Sequence, residues 1–116
     1  MILIRRRFTV EKREQARNFV ESKISYFNKF YNFNINRVAI KNQKTRWGSC
    51  SSKGNLNFNY KVMYLKQELA DYLIVHELCH LKELNHSKRF WALVYKTIPN
   101  YDKINKELKK TPIRFV

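Results

Sequence analysis

Residues 72–91 read YLIVHELCHLKELNHSKRFW, and the stretch from His76 to His86 inside them holds every histidine of the chain. Leu69, Leu73, Ile74, Val75, Leu78 and Leu81 surround most of a helical circumference between Gln67 and about Lys82, which predicts a central, buried helix carrying His76 and His80. Residues four apart lie one turn apart on one face, so these two imidazoles can address a single ion. Glu77 leaves the helix about 100° round from His76, away from the ligand face but within reach of a water bound to that ion. Such water loses a proton near neutral pH, and a carboxylate beside it can accept that proton and pass it on. A catalytic zinc needs a third protein ligand and an open position. His86 follows His80 by six residues, past an expected helix end at Glu83-Leu84-Asn85, where a chain reversal can return its ring; Glu83, on the same helical face, is the alternative. Chance alone places HExxH in only roughly a few shuffled chains of this composition in a thousand.

Working outward, Thr9 can cap a long first helix with Glu11 in its first turn and Ala16, Phe19, Val20, Ile24, Phe27, Phe30 and Tyr31 at helical spacing. The period then changes to two. Val38 and Ile40 alternate with polar residues, and Leu56, Phe58, Tyr60 and Val62 share one face of LNFNYKV. SSKGN supplies the Gly and Asn of a tight reversal, so residues 44–62 read as an antiparallel hairpin. NLNFNYK is the candidate edge strand for pairing with an extended peptide. Beyond the histidines, Asn85 can cap a third helix with Phe90, Trp91, Val94 and Ile98 that stops at Pro99. Asn100 and Asp102 can begin a last helix ending near Pro112. The fold class is therefore α+β, with a small antiparallel sheet beside the HExxH helix.

RWGSCSSKGNLNFNYKV followed by YLIVHELCHLKELNHSKRFW resembles the YgjP-like zinc metallopeptidases, small relatives of the SprT-like proteases among the zincins. The likeness covers residues 44–95 closely and the first helix loosely. It implies a minimal zincin fold, a polypeptide substrate, His76, His80 and His86 as zinc ligands, and Glu77 as the general base. The interval from His76 to His86 also matches that of metzincins, but Glu83 stands where those have their turn glycine. Arg46 and Trp47 open the resembling motif; the first reads as a structural hydrogen-bonding residue and the second as core. Cys79 adjoins His80 but points away from the ligand face, and Tyr60, Tyr64 and Tyr72 are candidates to polarise a scissile carbonyl.

The chain has 116 residues, 44% of them hydrophobic, and reads as a single packed domain over 1–116. The N-terminal MILIRRRFTVEKREQ lacks the apolar run of a signal peptide, and no later run approaches a membrane span. Cys50 and Cys79 are too few for a secreted disulfide scaffold, so the expected setting is the cytoplasm. Twenty-four Lys and Arg against nine Asp and Glu give +15, which attracts polyanions and makes DNA a candidate partner, as it is for some SprT-like relatives. Two other functions stay open at this point. One is a zinc-dependent hydrolase of nucleotides or phosphate esters; the other is a non-enzymatic nucleic-acid-binding module whose structural zinc would need Cys50 as its fourth ligand.

Overall fold

The computed structural model describes residues 6–116; residues 1–5, the start of the MILIRRRF stretch, lie outside the described residues. Helix α1 spans Val10–Asn28, and Thr9 caps it as expected, its hydroxyl accepting from the Lys12 amide at 3.1 Å. Ala16, Val20, Ile24 and Phe27 form its buried stripe. Phe30 and Tyr31 fall beyond the helix end. Phe30 is exposed, while the Tyr31 hydroxyl donates to the Leu93 carbonyl at 2.6 Å and so ties the turn after α1 to the C-terminal half.

Three short strands follow, β1 Arg37–Lys41, β2 Gly48–Cys50 and β3 Asn55–Asn59, in the spatial order β1-β3-β2. The 44–62 hairpin is present as β2 against β3, with Ser49 opposite Asn57. Its turn closes through the Gly54 amide to the Ser51 carbonyl at 3.0 Å, and Gly54 sits at φ 82, where a side chain is strained. The sheet is mixed, not antiparallel throughout. The hairpin inserts β3 between β2 and β1, where it runs parallel to β1, with Ile40 opposite Phe58. The chain crosses the sheet over residues 42–47 to make this order, and one buried side chain fixes the crossing. Asn59, with no exposed surface, donates through Nδ2 to the Gln43 and Arg46 carbonyls at 2.6 and 3.1 Å. Its own amide donates to the Trp47 carbonyl at 2.8 Å.

Leu56, Phe58, Tyr60 and Val62 are all fully buried, yet β3 ends at Asn59. Tyr60–Tyr64 is a 3₁₀ turn that Asn59 initiates by accepting from the Lys61 amide. The alternation in sequence thus runs past the strand into a turn whose own repeat is three residues, and tertiary packing, not strand pleat, buries Tyr60 and Val62.

Helix α2, Gln67–Cys79, runs through the centre, with Leu69, Ala70, Leu73, Ile74, Val75 and Leu78 buried, and it packs on α1, on β2 and on the two helices that follow. These are α3, Lys88–Thr97, and α4, Tyr101–Lys109. Ser87 caps α3, accepting from the Phe90 amide at 3.3 Å, where the sequence pointed to Asn85. Those two residues keep His86 in the connection, free to turn toward α2. None of the described helices is long and apolar enough to cross a membrane.

Candidate metal centre

Helix α2 stops where the site begins. His80 is its C-cap, and the chain leaves through a turn in which the Glu83 amide meets the Cys79 carbonyl at 3.0 Å. That turn places the Glu83 carbonyl 2.9 Å from His80 Nδ1. On the preceding turn, His76 Nδ1 lies 3.2 Å from Glu77 Oε2. With the ring proton on Nδ1 in both residues, each imidazole donates to an oxygen behind it and presents the Nε2 lone pair in front. The connection then carries His86 back over this face, and its Nε2 lies 3.1 Å from both His76 Nε2 and His80 Nε2.

With the His86 ring proton likewise on Nδ1, three lone pairs face one another, an arrangement that a cation among them satisfies. Tetrahedral zinc, with Zn–N bonds near 2.0–2.1 Å, sets its nitrogens roughly 3.3 Å apart, close to both distances that His86 makes here. The donor set therefore fits a divalent metal. Among the described residues these three histidines are the group able to hold one, and neither the Glu83 carboxylate nor the Cys50 thiol belongs to it. Burial, then the neighbouring His76 and His80, hold the pKa of His86 below its ordinary value, which favours the neutral ring that ligation needs.

Aromatic side chains fix the rings from the far side. Phe90, fully buried, stacks on His80 with centroids 4.4 Å apart and meets His76 and His86 edge-on near 5 Å. Trp91 stacks on His86 at 5.7 Å and is itself backed by Tyr101 at 4.8 Å. The FW pair of NHSKRFW thus forms the apolar floor and one wall of the centre.

Glu77 opens on another side, into a cleft of about 250 Å³ that it lines with His76, Trp47, Gly48, Tyr72 and Asn105. Its residue is only 4% exposed. Gly48 is what lets β2 approach this carboxylate, because a Cβ there would stand 3.2 Å from Glu77 Cγ and 3.0 Å from the Asn57 carbonyl. The strand beside the centre is accordingly β2. NLNFNYK, expected at an edge, is the middle strand with both sides paired. Trp47 and Ser51 bond β3 through their backbones, as alternate residues of an antiparallel strand do, so Gly48 and Cys50 between them turn their amides and carbonyls to the open edge.

Other expectations are redistributed. Of the three tyrosines, Tyr72 alone reaches the cleft, and its hydroxyl is committed to Asn105 Oδ1 at 3.0 Å. Asn105, on α4, had no local sequence signal. Trp47 is half-buried, packing against the core while also lining the cleft, and the exposed Arg46 bonds Asn59 through its carbonyl, not its guanidinium. Cys79 is fully buried and burial raises its thiol pKa; burial, then the Glu77 charge, pushes the Cys50 thiol up to about 11. Both thiols are free.

The YgjP-like metallopeptidase domain matches residues 4–111. Among solved structures, the metallopeptidase zymogen abylysin of Pyrococcus abyssi is 27% identical with a TM-score of 0.69, over 79% of this chain and 94% of that one. The metallopeptidase zymogen jannalysin of Methanocaldococcus jannaschii is 29% identical with a TM-score of 0.62, over 82% and 94%. No protein of curated function matches the chain significantly. The match across nearly the whole sequence, joined to the α+β architecture and the three converging imidazoles, establishes that the chain belongs to the YgjP-like metallopeptidase family.

Proposed function

We propose that this protein is a zinc peptidase in which His76, His80 and His86 hold the ion and Glu77 is the general base. The observation that carries the reading is the position of His86 Nε2, 3.1 Å from both His76 Nε2 and His80 Nε2, with a nearly buried carboxylate on the adjoining cleft. When bound, zinc supplies a Lewis acid that acidifies water and polarises a carbonyl. The chain's own groups do the rest. Glu77 takes a proton from the attacking water and returns it to the departing amine, and its contact with His76 Nδ1 keeps it aimed at the cleft. The outward amides and carbonyls of Gly48 and Cys50 bind an extended peptide main chain by strand addition, which needs no particular sequence. Cys50 and Cys79 suit a reducing compartment, and we place the enzyme in the cytoplasm.

Metal removal tests the reading. The purified protein should carry about one zinc and cleave an unfolded protein; chelation should abolish cleavage and zinc should restore it. Nucleoside triphosphates and oligonucleotides should survive in the same assay. A protein that takes up no zinc, or that hydrolyses only the phosphate substrates, would overturn it.

Gly48 offers a finer test. Gly48→Ala inserts a methyl group against Glu77 Cγ and the Asn57 carbonyl, so the carboxylate must shift while the histidines stay in place. Turnover should fall about 10- to 100-fold with zinc content unchanged, as small misplacements of catalytic groups do.

A further inference from the structure

The cleft beside Glu77 does not end at Trp47. Trp47 and Leu108 also line a second cleft of about 430 Å³, so the two hollows adjoin across these side chains. The outer one has an apolar floor of Leu108, Pro112 and Ile113 and is bordered by Lys44, Lys109 and Arg114, with Arg46 on the inner side. All four cations are exposed, and none is ion-paired among the described residues. Elsewhere the chain does pair its cations with carboxylates, as in Lys23–Asp71 and Lys66–Glu107. The walls are fixed in place. Asn59 holds the Gln43 and Arg46 carbonyls of one, and Lys61 Nζ donates to the Ile113 carbonyl of the other at 3.2 Å.

We infer that this outer cleft is a specificity subsite for acidic side chains of the peptide substrate, set a few residues from the scissile bond. The inference rests on the peptidase reading above. A main chain laid along β2 at Gly48 passes Trp47 and Arg46 next and reaches the outer cleft. An Asp or Glu arriving there puts its methylene carbons on the apolar floor and its carboxylate among unpaired cations, where bidentate contact with an arginine is available. The cleft's size suits one or two side chains. A nucleic acid backbone would be met by cations alone, with no use for the apolar floor or for continuity with Glu77.

Matched peptides carrying Glu, Gln or Lys near the cleavage point, together with a duplex oligonucleotide, test this. Binding is read by fluorescence anisotropy on Glu77→Gln protein, and kcat/KM on the wild type. The Glu peptide should lead the Gln peptide on the order of tenfold and the Lys peptide by more, a preference that weakens with salt, given several partly exposed charge contacts. Lys44→Glu with Lys109→Glu should abolish or invert the preference. Lys29→Glu with Lys103→Glu, which changes net charge equally at exposed positions lining neither cleft, should leave it intact. Equal binding of the Glu and Gln peptides would overturn the inference, as would equal loss in both double variants. So would loss of oligonucleotide binding alone in the cleft variant, which would assign the cleft to nucleic acid. A protein that binds the Glu peptide selectively but cleaves nothing would uphold the cleft and defeat the peptidase reading, so the two failures remain distinct.

Discussion

Glu77→Gln is expected to keep its zinc and to lose between about 10² and 10⁴ in turnover, the usual effect of removing a general base. The amide has nearly the shape of the carboxylate and can still accept from His76 Nδ1, so the three-histidine face should hold its form. What it cannot do is take a proton from water. Elemental analysis and a kcat measurement on one preparation decide the matter. A variant with most of the wild-type rate would remove Glu77 from the chemistry, and one that had lost its zinc would show instead that its contact with His76 is chiefly a prop for the metal.

His86→Ala should have the largest effect on the metal itself. His86 Nε2 is the atom that stands 3.1 Å from both other nitrogens, so its loss leaves two ligands from one helix and an open front. Affinity should fall by well over the roughly 100-fold that loss of a supporting hydrogen bond costs, and activity should vanish at ordinary zinc concentrations. A second readout avoids catalysis altogether. Zinc should raise the melting temperature of wild type through preferential binding to the folded state, and should leave His86→Ala unmoved. Glu83→Ala should behave as wild type, because its carbonyl, not its carboxylate, orients His80. The opposite pair of results would transfer the third ligand to Glu83.

The parts of this protein that could be read from sequence are those governed by local spacing. His76 and His80 share a face because the helix repeats every 3.6 residues, and Thr9 caps α1 because its hydroxyl reaches an amide three residues on. The return of His86 followed from a helix end and a short connection, although the cap is Ser87, two residues later than expected. The parts that could not be read are set by non-local order. Alternation in LNFNYKV reveals which side chains face the core, but the same pattern suits a central or a lateral strand, and only the parallel pairing with β1 makes β3 central. The same is true of the clefts. Trp47, Asn105 and Lys109 come together from a loop and a helix far apart in sequence, and no spacing rule links them.

The open edge of β2 is only three residues long. An edge so short offers few main-chain hydrogen bonds, too few to pull a strand out of another protein's sheet, and too few for copies of this chain to zip together. The cost of exposing an extended segment must then fall on the substrate. Native proteins, whose strands and helices already satisfy their backbones, should be cut in proportion to how often a segment opens spontaneously, so their half-lives should track local opening free energy more closely than residue sequence. Such an enzyme samples conformational stability, and the damaged or incompletely folded members of a protein population are the ones it should remove first.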